Sequence, residues 1–327
     1  MSDFSPLSAE RRPDANSFRS LKHTAMTSFL ALFLGLALAL PSGAEGDPPK
    51  LLGQCAQADM QGSDDYPWFD ENYDAYVPNA EILEQLKALP MDDVEISVFF
   101  GTWCGDSKRE VPRWQKLMDT LGVDAEKWKL IALDNKEPLY RQSPDGEEQG
   151  MHIYRVPTMV ISRQGKEIGR LIEHPVFSLE RDLLSLLQGQ DYSTAYPAYP
   201  QIRQWLEAGL LDDPNVSADG LAVQLRNHVG AEAELKSVEN LLRAFDKRVA
   251  AAKINQTNCA LFSKSADCVA RLAHALWDLE SYKEAHRVAE RALERLPAQV
   301  HIDSDTTELL LYILQDSQKK LAKTAEP

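Results

Sequence analysis

The sequence predicts a mixed α/β domain followed by an all-α domain. Two observations carry this. Between residues 94 and 173 short apolar, β-branched runs alternate with amphipathic helical segments and end in a hairpin turn, the pattern of a sheet with helices packed on it. Beyond Pro200 every segment has helical period: Val238, Leu241, Leu242, Phe245 and Val249 form one apolar stripe, and Cys268, Leu272, Leu276 and Leu279 form another.

Taken in order, residues 1–44 read as a targeting segment. Arg19 and Lys22 supply positive charge, Phe29 to Leu40 is an uncharged apolar run, and Pro41-Ser42-Gly43-Ala44 offers small residues for cleavage. The run is shorter than the ~20 residues of a bilayer span, so the expectation is an exported chain, periplasmic or secreted. Membrane contact would come only through this segment, if it stays uncleaved.

Residues 45–75 are acidic and turn-rich and read as a lead into the α/β domain, which is expected over 76–188. Asn79 caps a short helix to Leu89. Val94 to Phe100 is a buried strand, Cys104 to Leu121 a helix, Trp128 to Leu133 and Met159 to Ser162 further strands. The insertion from Glu137 to Gly150 carries Pro, Gly and several charges and is expected as a surface loop. Arg163-Gln164-Gly165-Lys166 turns into Glu167–Glu173, and Ser178 caps a closing helix to Leu187.

Residues 189–200, GQDYSTAYPAYP, are linker-like, and 201–327 form the helical domain. There, Ala273, Leu276 and Leu279, then Tyr282, Ala285, Ala289, Ala292, Leu293 and Pro297, resemble one tetratricopeptide repeat. Small residues let two helices approach closely. A single repeat cannot bury its face alone, so helices over Leu235–Ala251 and Thr306–Lys320 are expected to flank it.

Charge and motif content narrow the chemistry. With 50 acidic and 35 basic residues among 327, the net charge is −15, and no basic stripe exists to bind nucleic acid. There is no Gly-rich phosphate loop, no Gly-x-Ser-x-Gly elbow and no His spacing paired with Cys for a metal, so no cofactor or metal is expected. Asn215-Val216-Ser217 and Asn255-Gln256-Thr257 are glycosylation sequons, of consequence only in a eukaryotic secretory pathway.

What remains is Thr102-Trp103-Cys104-Gly105-Asp106-Ser107. A strand that runs into a Cys at a helix N-terminus offers the thiolate the helix's first N–H groups and its dipole, and the thiolate is the nucleophile of disulfide exchange. Trp103 would shield the sulfur. The run Phe99 to Lys108 resembles the strand, Trp-Cys-Gly-Pro-Cys motif and helix start of the thioredoxin family. Pro112, eight residues after Cys104, matches that family's helix-kinking proline, and Val156-Pro157-Thr158 matches its cis-proline signature. The resemblance covers about residues 75–188. It implies a thioredoxin-like fold, Cys104 as the catalytic residue, and a Val156–Pro157 loop that holds the substrate backbone.

Three departures qualify the resemblance. Ser107 stands where the family has its resolving cysteine, so the motif cannot close its own disulfide. Asp106 replaces the usual proline and sets a carboxylate near the thiolate, against the helix dipole. Val98 replaces the buried acid six residues before the Cys. The expectation is thiol–disulfide exchange through one cysteine, with a protein thiol or disulfide client. The competing class is a non-catalytic binding or scaffold module with a helical protein-docking domain. In an oxidising compartment Cys259 and Cys268, flanking a short polar loop, are expected to pair, which leaves Cys55 as a possible resolving thiol for Cys104.

Overall fold

The computed structural model describes residues 49–136, 138–295 and 304–324. The targeting segment and Pro297 lie outside these. Five strands, β1 (Gly53–Cys55), β2 (Val94–Phe100), β3 (Trp128–Ala132), β4 (Thr158–Arg163) and β5 (Lys166–Ile172), form one sheet in the order β1-β3-β2-β4-β5. β2 and β3 are parallel and the other neighbours antiparallel, so the sheet is mixed. A parallel pair needs a long crossover. Here it is the helix α3 (Gly105–Leu121), which follows β2 directly and carries Pro112 in its interior.

The alternation along β2 divides the core. Val94, Ile96, Val98 and Phe100 face α1 (Pro67–Ala75), α2 (Ala80–Lys87), α3 and α4 (Leu179–Leu187), where Phe69, Leu86, Trp114, Leu117 and Leu183 are buried. Phe99, with Ile131, Leu133 and Val160, faces the other way and is covered by Ile153 and Val156 of the chain joining β3 to β4. The caps follow the sequence: Asn79 accepts from the amide of Ile82, and Ser178 from that of Arg181, at 3.1 and 3.2 Å.

Two boundaries differ from the sequence reading. The acidic lead over 45–75 belongs to the α/β domain from Leu51 on. β1 pairs with β3, α1 packs on α3, and Met60 and Phe69 are fully buried. A three-residue strand entered through Gly53 at φ +80° is too short to show a period of two. Neither is the insertion after β3 merely a surface loop, because Glu148 is buried and accepts from the amide and hydroxyl of Ser143.

The rest is helical: α5 (Ala198–Glu207), α6 (Ala218–Leu225), α7 (Glu232–Ala244), α8 (Arg248–Leu261), α9 (Ala266–Asp278), α10 (Tyr282–Arg295) and α11 (Ser304–Thr324). The helix expected over Leu235–Ala251 is two helices, broken at Asp246 with φ +55°, and Val249 is therefore on a new helix and exposed. α9 and α10 pack through Ala273, Leu276, Ala285, Ala289 and Ala292, and α11 closes the cluster with Leu310 and Ile313. The linker does not hang free. α5 begins inside it, and Tyr199 shares one buried cluster with Tyr154 and Ile172 of the α/β domain. Asn255 is fully buried with its amide donating to Glu239, so the second sequon is closed to modification in the folded chain.

Candidate functional site

The site lies where β2 ends and α3 begins. Cys104 is the N-cap residue of α3, in extended conformation (φ −95°, ψ 126°). Its amide donates to Gly101 O at 2.9 Å and its carbonyl accepts the first helical bond from Lys108 N at 3.0 Å. No side chain caps the helix, so its first amides are left to the space around the sulfur. The sulfur is half-buried against the Phe99–Ile131 cluster, and Sγ donates to the carbonyl oxygen of Val156 at 3.3 Å.

The residues around Cys104 are held by specific contacts. Trp103 donates through Nε1 to Leu133 O at 2.9 Å. Gly101 is required for space rather than for its torsion: a Cβ there would stand 2.4 Å from the Trp103 ring. Ser107 is fully buried, and its Oγ accepts from the amide of Gly101 at 3.2 Å. The Ser107 hydroxyl thus satisfies a backbone donor that the turn would otherwise strand. Asp106 is half-buried and paired with Arg109 at 2.9 Å, so its charge is met from the helix itself. Buried Glu110 accepts from both Arg109 and Arg113.

Pro112 removes the donor that Lys108 O would otherwise receive. Asn72 of α1 donates there instead, at 3.3 Å. Across from the helix start, the Val156–Pro157 peptide is cis. Pro157 O accepts from Glu173 N at 2.7 Å, and Thr158 Oγ1 donates to Arg155 O at 2.8 Å. Arg155 fastens this loop to the helical region. It donates to Tyr199 Oη at 2.7 Å, Glu173 Oε1 at 2.9 Å and Ala233 O at 3.1 Å, with its guanidinium over the Tyr196 ring.

The structure therefore brings together Trp103, Cys104, Gly105, Asp106, Ser107, Val156 and Pro157. It does not bring Cys55 to Cys104. Cys55 sits on β1 opposite Leu130 and packs with the Val98–Phe100 face, whereas Cys104 packs with the opposite face. The Cys55 sulfur donates back to Gly53 O at 3.2 Å, and burial pushes its thiol up to about 11, well above an ordinary cysteine. Both features oppose the resolving role that cysteine counting suggested. Cys259 and Cys268, at the α8–α9 junction, stand at disulfide distance with Cα atoms 5.5 Å apart.

Residues that sequence reasoning passed over are Asn72, Glu110, Arg141 and Arg155. Arg141 lies with its guanidinium 4.9 Å from the Trp103 ring centroid. None stands in a periodic or motif context; Asn72, Arg141 and Arg155 act across long sequence separations, and Glu110 is a buried carboxylate paired with its helix neighbours Arg109 and Arg113. Among the described residues no group of three or more His, Cys, Asp or Glu could hold a metal ion, and no helix is long and apolar enough to cross a membrane. Comparison with family models, curated proteins and solved structures returned no match.

Proposed function

We propose that this chain is a thioredoxin-like protein that carries out thiol–disulfide exchange through Cys104 alone. The observation that carries the reading is the position of the Cys104 sulfur, at an uncapped helix start and 3.3 Å from Val156 O, the carbonyl before a cis proline. Backbone groups of that loop border the sulfur, as a site that holds an extended client chain beside a nucleophile requires.

The step is a balanced exchange. The Cys104 thiolate attacks the nearer sulfur of a client disulfide, a Cys104–client disulfide forms, and the farther sulfur leaves as a thiolate that water protonates. With Ser107 at the fourth position of the motif and Cys55 on the other sheet face, release needs a thiol from outside the motif. An export destination agrees with Cys259 and Cys268 standing at disulfide distance, since such pairs persist outside the reducing cytosol.

The test is exchange between a peptide disulfide and a small thiol, followed with wild type, Cys104→Ser and Cys55→Ser. Activity lost in Cys104→Ser and kept in Cys55→Ser is expected. Equal, uncatalysed rates in all three would favour the binding-module class instead.

A further inference from the structure

Arg155 stands one residue before Val156, whose carbonyl oxygen accepts from Cys104 Sγ at 3.3 Å. The backbone on both sides of that carbonyl is fixed. Arg155 O accepts from Thr158 Oγ1 at 2.8 Å, and Pro157 O accepts from the amide of Glu173 at 2.7 Å. Glu173 then closes a ring, because its Oε1 accepts from Arg155 Nη1 at 2.9 Å. One residue thus holds Pro157 with its backbone and Arg155 with its side chain. It does so at φ +60°, a conformation that a residue other than glycine keeps only where its surroundings enforce it.

The rest of the guanidinium reaches into the helical region. Nε donates to Tyr199 Oη at 2.7 Å, and that hydroxyl donates to Glu234 O at 3.3 Å. Nη2 donates to Ala233 O at 3.1 Å, so both routes end in the first turn of α7. Tyr196 stacks on Tyr199 with centroids 5.1 Å apart, carries the guanidinium on its ring at 4.7 Å and donates to Glu173 Oε2. A planar guanidinium whose donors are spent in three directions fixes its own backbone more firmly than a single-point cation could.

We propose that Arg155 is the positioning residue of the exchange site: anchored on α5 and α7, it holds the Val156 carbonyl against the Cys104 thiol and the loop in the form that receives a client chain. This rests on the exchange reading, and Arg155 acts on the sulfur through Val156. The Cys104–client bond forms, the client's own S–S bond breaks, and the far sulfur leaves as a thiolate that water protonates. Two effects of opposite sign follow. The S–H···O bond occupies the proton that the sulfur must shed to become a nucleophile, so a loosened loop makes Cys104 quicker toward a small reagent. A client chain needs the loop in place, so the same change makes peptide exchange slower.

The experiment uses the full chain with Cys55→Ser and follows two rates at Cys104, adduct formation with a peptide disulfide and alkylation by iodoacetamide. In Arg155→Met the peptide rate is expected to fall about ten- to a hundredfold, and alkylation to rise about two- to tenfold. Arg155→Lys keeps a charge beside Glu173 and is expected between wild type and Arg155→Met in both rates. Tyr199→Phe removes the Nε acceptor; it is expected to shift both rates in the same sense, and to add nothing in the Arg155→Met background. Arg271→Met is the control for lost stability, since it strips a partner from buried Glu239 within the helical region. Both rates are expected to stay within about twofold of wild type there.

An unchanged peptide rate in Arg155→Met, alkylation that stays flat or falls with it, or an equal loss in Arg271→Met overturns the assignment. Should Arg155→Met not fold, Arg155→Lys and Tyr199→Phe decide by the same two rates. Should the wild type form no peptide adduct, the exchange reading falls, and alkylation alone judges the positioning. Equal alkylation in wild type, Arg155→Met and Tyr199→Phe would then overturn it.

Discussion

The sulfur of Cys104 and the carbonyl oxygen of Val156 are 3.3 Å apart, joined by a hydrogen bond that spans 52 positions of sequence. The partner of the thiol is thus a backbone group of the loop ending at Pro157, and not a side-chain base. When the thiol ionises that bond is lost, and the carbonyl is freed for another donor. Around this contact the remaining residues serve to hold the turn, the indole and the loop in place.

Ser107 holds the turn. Replacing it with Ala leaves the buried amide of Gly101 without an acceptor, at a cost of about 1–3 kcal/mol. The urea midpoint is expected to fall accordingly while Cys104 remains a reactive thiol. An unchanged midpoint would mean the hydroxyl does not carry that amide.

Gly101 leaves room for the indole. A Cβ in Gly101→Ala would stand 2.4 Å from the Trp103 ring, which must then shift or break its bond to Leu133 O. Overpacking of this kind costs about 1–3 kcal/mol. The expected result is a lower melting temperature together with a changed Cys104 alkylation rate, checked by calorimetry and peptide mass mapping.

Cys55 gives the pH dependence. Its folded-state value of about 11 exceeds the unfolded one, so between about 9 and 11 the unfolded chain has released a proton that the native chain still holds. Stability from this group is whole below about 9, declines as pH rises toward 11, and levels above it. Urea midpoints of wild type and Cys55→Ala across pH 8–12 are expected to differ in this sense. Labelling of Cys55 by iodoacetamide in the native protein is expected to stay slow until pH approaches 11.

Arg155 ties the loop to the helices. Arg155→Met strips a partner from Glu173, which is 14% exposed, and from Tyr199, and is expected to cost about 3 kcal/mol. A loss below 1 kcal/mol in chemical denaturation would show that the tether is not structural.

Much of the fold was legible in the sequence because the informative signals are local. The apolar run Val94–Phe100, the capping side chains of Asn79 and Ser178, and the alanine spacing of α10 each declare an element within one or two turns. β1 was not legible, since three residues cannot show a period, nor was the break at Asp246, where the apolar stripe runs on through the turn. Within the site, Cys104 and Pro157 stand out by neighbouring residues alone. Arg155 and Arg141 do not, because what marks them is Tyr199 in one case and Trp103 in the other, 44 and 38 positions away.

Intact-mass analysis distinguishes a lone Cys104 thiol, as proposed, from one that resolves within the chain. The Cys55→Ala protein is incubated with excess peptide disulfide and then sampled over time in the absence of any other thiol. One peptide adduct is expected, mapped to Cys104, that persists until an external thiol is added and then leaves completely. No adduct at Cys104, or one that resolves within the chain unaided, would contradict it.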